Sequence, residues 1–258
     1  MKMNELVRIE REKHLVWVIL DREEKRNALD LAMVEALHET LGKLENDPEV
    51  GVVVFRSSFD SAFVSGADVA ELRDRDALDS LARINARLFQ RIEDLPMPTI
   101  AAIQGYALGG GCEFTLACDL RIAGRSAKLG QPEVGLGILP GAGGTQRLPR
   151  IVGLGRAKEM VLTGRILEAD EAERIGLVLQ VVPDGELYDH ARTLAEQILR
   201  NGRLAVRLAK IALNSSFDGG AVGHRLESAL QAVLFDSEEK KERMTRFLDR
   251  KKTRDGGR

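Results

Sequence analysis

This sequence predicts an α/β layered core followed by an all-helical tail, on three observations. Short apolar runs rich in β-branched residues recur through the first half, at residues 15–20, 51–55 and 99–103. Between them lie stretches whose apolar residues return at helical spacing. Beyond about residue 190 the strand signals stop and helical patterns follow one another. Strands alternating with helices imply a sheet covered by helices.

The opening, MKMNELVRIEREKHLVW, scatters charges and lacks the apolar stretch a secretory signal needs, so it reads as a first strand. LVWVIL at 15–20 is a buried strand. Asp30 can cap a helix through residue 41, and GVVVF at 51–55 returns to the sheet. A helical pattern over 77–92 is stopped by Pro96 and Pro98 ahead of the TIAAI strand at 99–103. Gly109-Gly110-Gly111 then opens a helix reaching Cys118, and a strand follows at 120–123. The tail reads as helices at 187–200, 203–214, 224–235 and 237–250, broken at Asn201-Gly202 and Gly219-Gly220. Its end, 250–258, is basic and glycine-rich. The expected division is a core of residues 1–190 and a helical region of 191–258.

At 258 residues, one main core with an appended piece is expected. Hydrophobic residues at 44% and charged residues at 30% exclude extensive disorder. A net charge of −2 gives no global field for nucleic acid, so an anionic ligand must be held locally. No window approaches a membrane span. Cys112 and Cys118 share one predicted helix at about 9 Å, beyond disulfide reach, and read as reduced thiols of a cytoplasmic protein. The four histidines stand apart, so no metal site is expected.

Three glycine-containing segments stand out: Ser65-Gly66-Ala67-Asp68, the 109–111 triplet, and Pro140-Gly141-Ala142-Gly143-Gly144. None fits a dinucleotide or nucleoside-triphosphate phosphate loop. A triple glycine at a helix start costs helix stability, roughly 0.5–1 kcal/mol per glycine. Two compensations are physically reasonable: bare N–H groups open to an anion or developing oxyanion, or close helix-to-sheet packing.

Glu113 sits in the first turn of that helix among Cys112, Phe114, Leu116 and Ala117. It could be a helix-dipole partner or a buried acid/base. Glu133 follows twenty residues later. A helix of about eight residues runs out roughly 12 Å and a short strand returns roughly 15 Å, so the two carboxyls can meet at one pocket. Like charges in an apolar site separate their titrations, leaving a general acid beside a general base.

Three segments resemble the enoyl-CoA hydratase/isomerase superfamily, the crotonases: FVSGADVAEL at 63–72, IQGYALGGGCE at 103–113 and GQPEVGLGILPGAGGTQRL at 130–148. The similarity runs from the opening strands through Phe247. It implies an α/β, crotonase-like spiral of ββα units with a C-terminal helical trimerisation region, assembled as a homo-oligomer, a trimer or dimer of trimers. It further implies that Ala67 and Gly110 supply the two oxyanion-hole N–H groups. Glu113 then activates water, Glu133 delivers a proton to the α-carbon, and Gly141 offers an N–H near that water. The acyl-CoA is the small-molecule substrate, with no separate cofactor, and its nucleotide is implied to lie near Arg26, Ala28, Ser65, Gly66, Asp68, Val69 and Arg250. Residues 73–94 should line the acyl pocket, mixing Leu78, Leu81, Ile84 and Phe89 with Arg83 and Asn85.

Glu23, Gln231 and Arg243 depart from residues frequent in the family, all at the nucleotide end or in helix packing. The family implies hydration of a 2-trans-enoyl-CoA to a 3-hydroxyacyl-CoA. Alternatives are a Δ3,Δ2-enoyl-CoA isomerase, which can work with one carboxylate, and a non-catalytic trimeric scaffold or RNA-binding relative.

Overall fold

The computed structural model describes residues 6–74, 76–217 and 220–255; the side chains of residues 217, 220, 221 and 250–255 lie outside that description. In chain order the elements begin β1 (Val7–Glu12), β2 (Leu15–Leu20), α1 (Leu31–Glu45), β3 (Val52–Ser57), β4 (Ala62–Val64), α2 (Val69–Asp74), α3 (Ala77–Ala82) and α4 (Ile84–Glu93). Next come β5 (Thr99–Ile103), β6 (Tyr106–Leu108), α5 (Gly110–Ala117), β7 (Leu120–Gly124), β8 (Lys128–Gly130), α6 (Gly144–Val152), α7 (Leu154–Thr163), β9 (Ile166–Glu168), α8 (Ala169–Arg174) and β10 (Gln180–Val182). The remainder is helical: α9 (Leu187–Leu199), α10 (Arg203–Asn214), α11 (Gly220–Asp236) and α12 (Glu238–Asp255).

Two sheets form, one of six strands in the order β1-β2-β3-β5-β7-β10 and one of four in the order β4-β6-β8-β9. The pairs β3/β4, β5/β6 and β7/β8 each place their first strand in the larger sheet and their second in the smaller. Every new strand lies parallel beside its counterpart from the preceding pair. With the helices after each pair, this is the expected spiral of ββα units. Antiparallel strands end the layers at β1 and β9.

The sequence explains the layering. β2, LVWVIL, is buried at every position and pairs with β1 and β3, the continuous apolar pattern of a strand covered on both faces. β1 alternates charge along an exposed edge, which blocks further strand pairing. α1 starts at Asp30, whose carboxylate accepts the Met33 N–H at 3.0 Å.

Several boundaries differ from expectation. The single helix expected over 77–92 is two, α3 and α4, because Arg83 takes a left-handed conformation with φ 56°. α11 begins at Gly220, ahead of the expected 224, and Gly219 of the expected break lies outside the described residues. The three-residue strands of the smaller sheet are too short to show an alternating pattern. The chain divides into two compact units, Met1–Gln197 and Ile198–Arg258, and the expected 190/191 division falls inside α9.

The helix that begins at the glycine triplet, α5, is buried at all eight positions. Phe114 meets Phe55, Phe63 and Phe89 edge-on, at centroid distances of 5.1, 5.5 and 5.8 Å. At its C-terminal end the buried Arg121 guanidinium donates to the Thr115, Cys118 and Leu177 carbonyls, satisfying groups the helix leaves open. Its N-terminal end, at Gly109 and Gly110, faces a cavity instead.

Candidate active site

The three glycines before Glu113 divide the two compensations between them. Gly109 has φ 52° and makes the turn from β6 into α5. At Gly111 a Cβ would lie 1.9 Å from the Val64 carbonyl oxygen, so its bareness lets α5 press on β4. At Gly110 a Cβ would meet only ordinary contacts, the nearest being the Ala67 nitrogen at 3.5 Å. Close packing therefore accounts for Gly111, while Gly110 stands where backbone is open to a ligand.

Leu29 N–H donates to the Gly66 carbonyl at 2.9 Å. Across the same trans peptide the Ala67 N–H points the opposite way, away from Leu29. Gly110 is the first residue of α5, where N–H groups have no intrahelical acceptor and the helix dipole is positive. Two backbone donors thus lie side by side, able to share one oxygen bearing negative charge.

Glu113 is 3% exposed. Its Oε1 accepts the Ala142 and Gly144 N–H groups, each at 2.8 Å. Gly144 opens α6, so the carboxylate of one helix closes the N-terminus of another. Burial pushes the Glu113 carboxyl above the ordinary glutamate range, while the Gly144 and Ala142 N–H groups and the Arg147 charge pull it back.

Glu133 sits in a 3-10 turn, Pro132–Leu136, after β8, and is 8% exposed. Neither of its carboxyl oxygens is hydrogen-bonded to another residue, and its own backbone amide is the one group that pulls it down. Burial, reinforced by the Glu113 charge, pushes it up to about 7. Its Oε1 lies 3.3 Å from where a Gly109 Cβ would be, beside the helix start. One carboxyl thus has two donors from another segment that favour its charged form, and the other has only its own amide.

Glu113, Glu133, Gly110 and Gly141 face a cavity of about 810 Å³. Ser65, Gly66, Ala67 and Val69 form part of the facing wall. Arg26, Ala28 and Asp68 do not line it. Arg26 is an exposed left-handed residue whose carbonyl accepts the Ser65 N–H at 3.1 Å, Ala28 is buried, and Asp68 accepts Lys25 Nζ at 2.9 Å and caps α2. The Arg250 side chain lies outside the described residues.

The expected acyl wall is corrected in part. Ile84, Arg83 and Asn85 line the cavity, but Leu78 and Leu81 are 74% and 73% exposed and Phe89 is buried against Phe114. The left-handed residue between α3 and α4 resets the helical phase, so one helical face does not run from 77 to 92.

Sequence reasoning passed over Ala142, Gly144 and the fully buried Gln131, whose Nε2 donates to the Gly109 carbonyl at 3.3 Å. The signal was present in GAGG: a second glycine-rich helix start, in reach of the same carboxylate. Among the described residues Asp30, Asp68 and Glu71 lie close enough to share a cation, but Lys25 already contacts Asp30 at 3.3 Å and Asp68 at 2.9 Å.

Over residues 10–256 the chain matches the sequence model of a family described as enoyl-CoA hydratase/isomerase. A short-chain-enoyl-CoA hydratase of Clostridium acetobutylicum is 39% identical over 255 residues, 98% of this chain and 97% of that protein. A crotonyl-CoA hydratase of Syntrophomonas wolfei is 40% identical over 247 residues, 95% of each. Among solved structures, an enoyl-CoA hydratase of Bacillus anthracis superposes with a TM-score of 0.91 at 38% identity, covering 95% of this chain and 96% of that one.

Proposed function

Because the chain belongs to the enoyl-CoA hydratase/isomerase family and has its crotonase fold, we propose that it is an enoyl-CoA hydratase, adding water to a 2-trans-enoyl-CoA to give a 3-hydroxyacyl-CoA. The observation that carries this reading is the pair of buried carboxyls at one cavity: Glu113 held by two N–H donors, Glu133 unpaired and raised to about 7.

In this mechanism Glu113 is the ionised base. It takes a proton from water as the water oxygen bonds to the β-carbon. The electron pair of the double bond moves through the α-carbon onto the thioester oxygen, giving an enolate. Ala67 and Gly110 N–H groups hold that oxygen, each contributing about 3 kcal/mol to the transition state, with the positive end of α5 behind them. Glu133 then gives its proton to the α-carbon, and the carboxyls are reset by solvent exchange.

Ser65, Gly66, Val69 and Gly141 are read as walls of the substrate site, and Arg26, Ala28, Asp68 and Arg250 as residues near the coenzyme A nucleotide. Besides water, the acyl-CoA is the small molecule the chemistry requires. Among the described residues no helix is long and apolar enough to cross a membrane. We read the protein as cytoplasmic and as a homo-oligomer, trimer or dimer of trimers, joined through the helices beyond residue 190. Exposed Val233, Phe235, Met244, Phe247 and Leu248 favour a covered surface there.

Glu113→Gln with crotonyl-CoA tests the proposal. Loss of the enoyl absorbance should slow by ~10² to 10⁴, the usual worth of a positioned acid or base. Hydration near the wild-type rate in the folded variant sinks the mechanism. Hydration absent from both proteins, with double-bond migration surviving Glu113→Gln, assigns the isomerase alternative instead.

A further inference from the structure

Arg147 touches no substrate atom in the hydration mechanism, yet its side chain is only 9% exposed and each of its three guanidinium nitrogens donates a hydrogen bond. Nη1 donates to the Ala142 carbonyl at 3.1 Å. Nε and Nη2 donate to Glu93 Oε2 at 2.9 and 2.6 Å, and Nη2 also reaches Gln90 Oε1 at 3.3 Å. Nη1 fills the volume a Gly143 side chain would occupy, 2.0 Å from an ideal Cβ there, so Gly143, with φ 110°, and Arg147 need each other.

Ala142 is consequently held at both ends, its N–H on Glu113 and its carbonyl on Arg147. Glu93 and Gln90 belong to α4, whose first residues Ile84, Asn85 and Ala86 line the cavity. The guanidinium is therefore a strut between the cavity wall and the turn at 140–144 that sets the Glu113 carboxylate.

We propose that Arg147, anchored by Glu93 and Gln90, is a positioning residue for hydration: it holds the Ala142 and Gly144 N–H groups where they orient Glu113 toward water. The proposal rests on the reading of Glu113 as the base. A bonded carboxylate is aimed, and an ångström of misplacement at a reacting group costs on the order of 10²-fold in rate. The charged groups facing Glu113 are few. Glu133 approaches from the 3-10 turn, Arg147 from α6, and Glu93 from α4 behind Arg147; from α5 itself the Cys112 thiol, pushed up to about 12 by burial, stays neutral.

The test uses the full-length protein, with Arg147→Met, Arg147→Lys and Glu93→Gln, each checked for its wild-type circular dichroism spectrum. Arg147→Met should lose roughly 10²-fold in kcat while KM changes less than about threefold, the pattern of a lost transition-state contact. Losing the cation raises the Glu113 carboxyl, so the acid limb of the kcat/KM profile moves to higher pH. Glu93→Gln keeps the cation without its counter-charge. It should lower kcat less and move that limb to lower pH. Arg147→Lys should leave the limb in place and recover part of kcat, because one ammonium cannot span both the Ala142 carbonyl and Glu93.

A merely structural arginine would lower stability without moving the limb in opposite directions. Arg147→Met that keeps wild-type kcat and an unshifted limb overturns the proposal. The Glu113 carboxylate stretch, titrated by difference infrared spectroscopy against Glu113→Gln, separates the two claims. A wild-type protein that fails to hydrate refutes the functional reading, while a wild-type kcat together with an unmoved Glu113 titration in Arg147→Met refutes the strut.

Discussion

Replacing Glu133 with glutamine should stabilise this protein at alkaline pH while disabling it. In the folded chain Glu133 holds its proton up to about 7, whereas an ordinary glutamate releases it near 4.5. Between those values the folded state binds one proton more than the unfolded state, so stability falls as pH rises through the window and levels off above about 7. At 1.36 kcal/mol per tenfold, the interval from 4.5 to about 7 amounts to roughly 3 kcal/mol.

Glutamine removes that slope and leaves the raised Glu113, which tilts both proteins the same way. Urea unfolding at several pH values between about 5 and 8, at one protein concentration so that subunit linkage stays constant, should give curves that meet at the acid end. They should separate by roughly 2–3 kcal/mol at the alkaline end, glutamine the more stable. Under the proposed mechanism hydration should be lost at every pH, since the variant carries no proton for the α-carbon. Parallel stability curves across this range would refute the claim that burial of an unpaired carboxyl sets the Glu133 titration.

The glycine triplet offers a paired comparison: Gly111→Ala should lower stability by roughly 1–3 kcal/mol through its clash with Val64, read as a drop in urea midpoint. Gly110→Ala should fold with stability within about 1 kcal/mol of wild type; equal midpoints for the two variants would contradict the assignment of close packing to Gly111. Ala67→Pro deletes one of the two proposed donors to the thioester oxygen and should cost roughly 10²- to 10³-fold in kcat, so a folded variant with full turnover removes Ala67 from the proposed oxyanion hole. Truncation after Phe247 should weaken competitive inhibition by coenzyme A, and an unchanged inhibition constant would dissociate Arg250 from nucleotide binding.

Much of the architecture was legible because long buried strands such as LVWVIL and GVVVF carry their own pattern, and Asp30 caps its helix by local chemistry alone. Chain length showed only that residue 133 could regain the level of the helix start; the route there runs through two strands, β7 in the larger sheet and β8 in the smaller, where one return strand was expected. What escaped was decided by single backbone dihedrals and by distant partners. Arg83 in a left-handed conformation breaks a periodicity that otherwise runs on, which sent Leu78 and Leu81 outward. The GAGG run marks a helix start with open N–H groups, but nothing in it says that the Ala142 amide serves a carboxylate 29 positions earlier. The smaller sheet stayed invisible for a different reason, since three residues cannot distinguish a strand from a turn.

The ring of Phe114 has one further consequence, for how activity is lost rather than how it arises. Its three aromatic neighbours come from β3 in the larger sheet, β4 in the smaller sheet and α4, so separate layers converge on the residue next to Glu113. Local opening in most proteins starts at weakly packed segments and can spare the centre. Here any opening that frees one of those layers also loosens the packing beside Glu113, the proposed base. Turnover should therefore fall no later than the denaturant concentration at which the first of these three layers loses its protected amides, and activity that outlasts the opening of any one layer would refute that dependence.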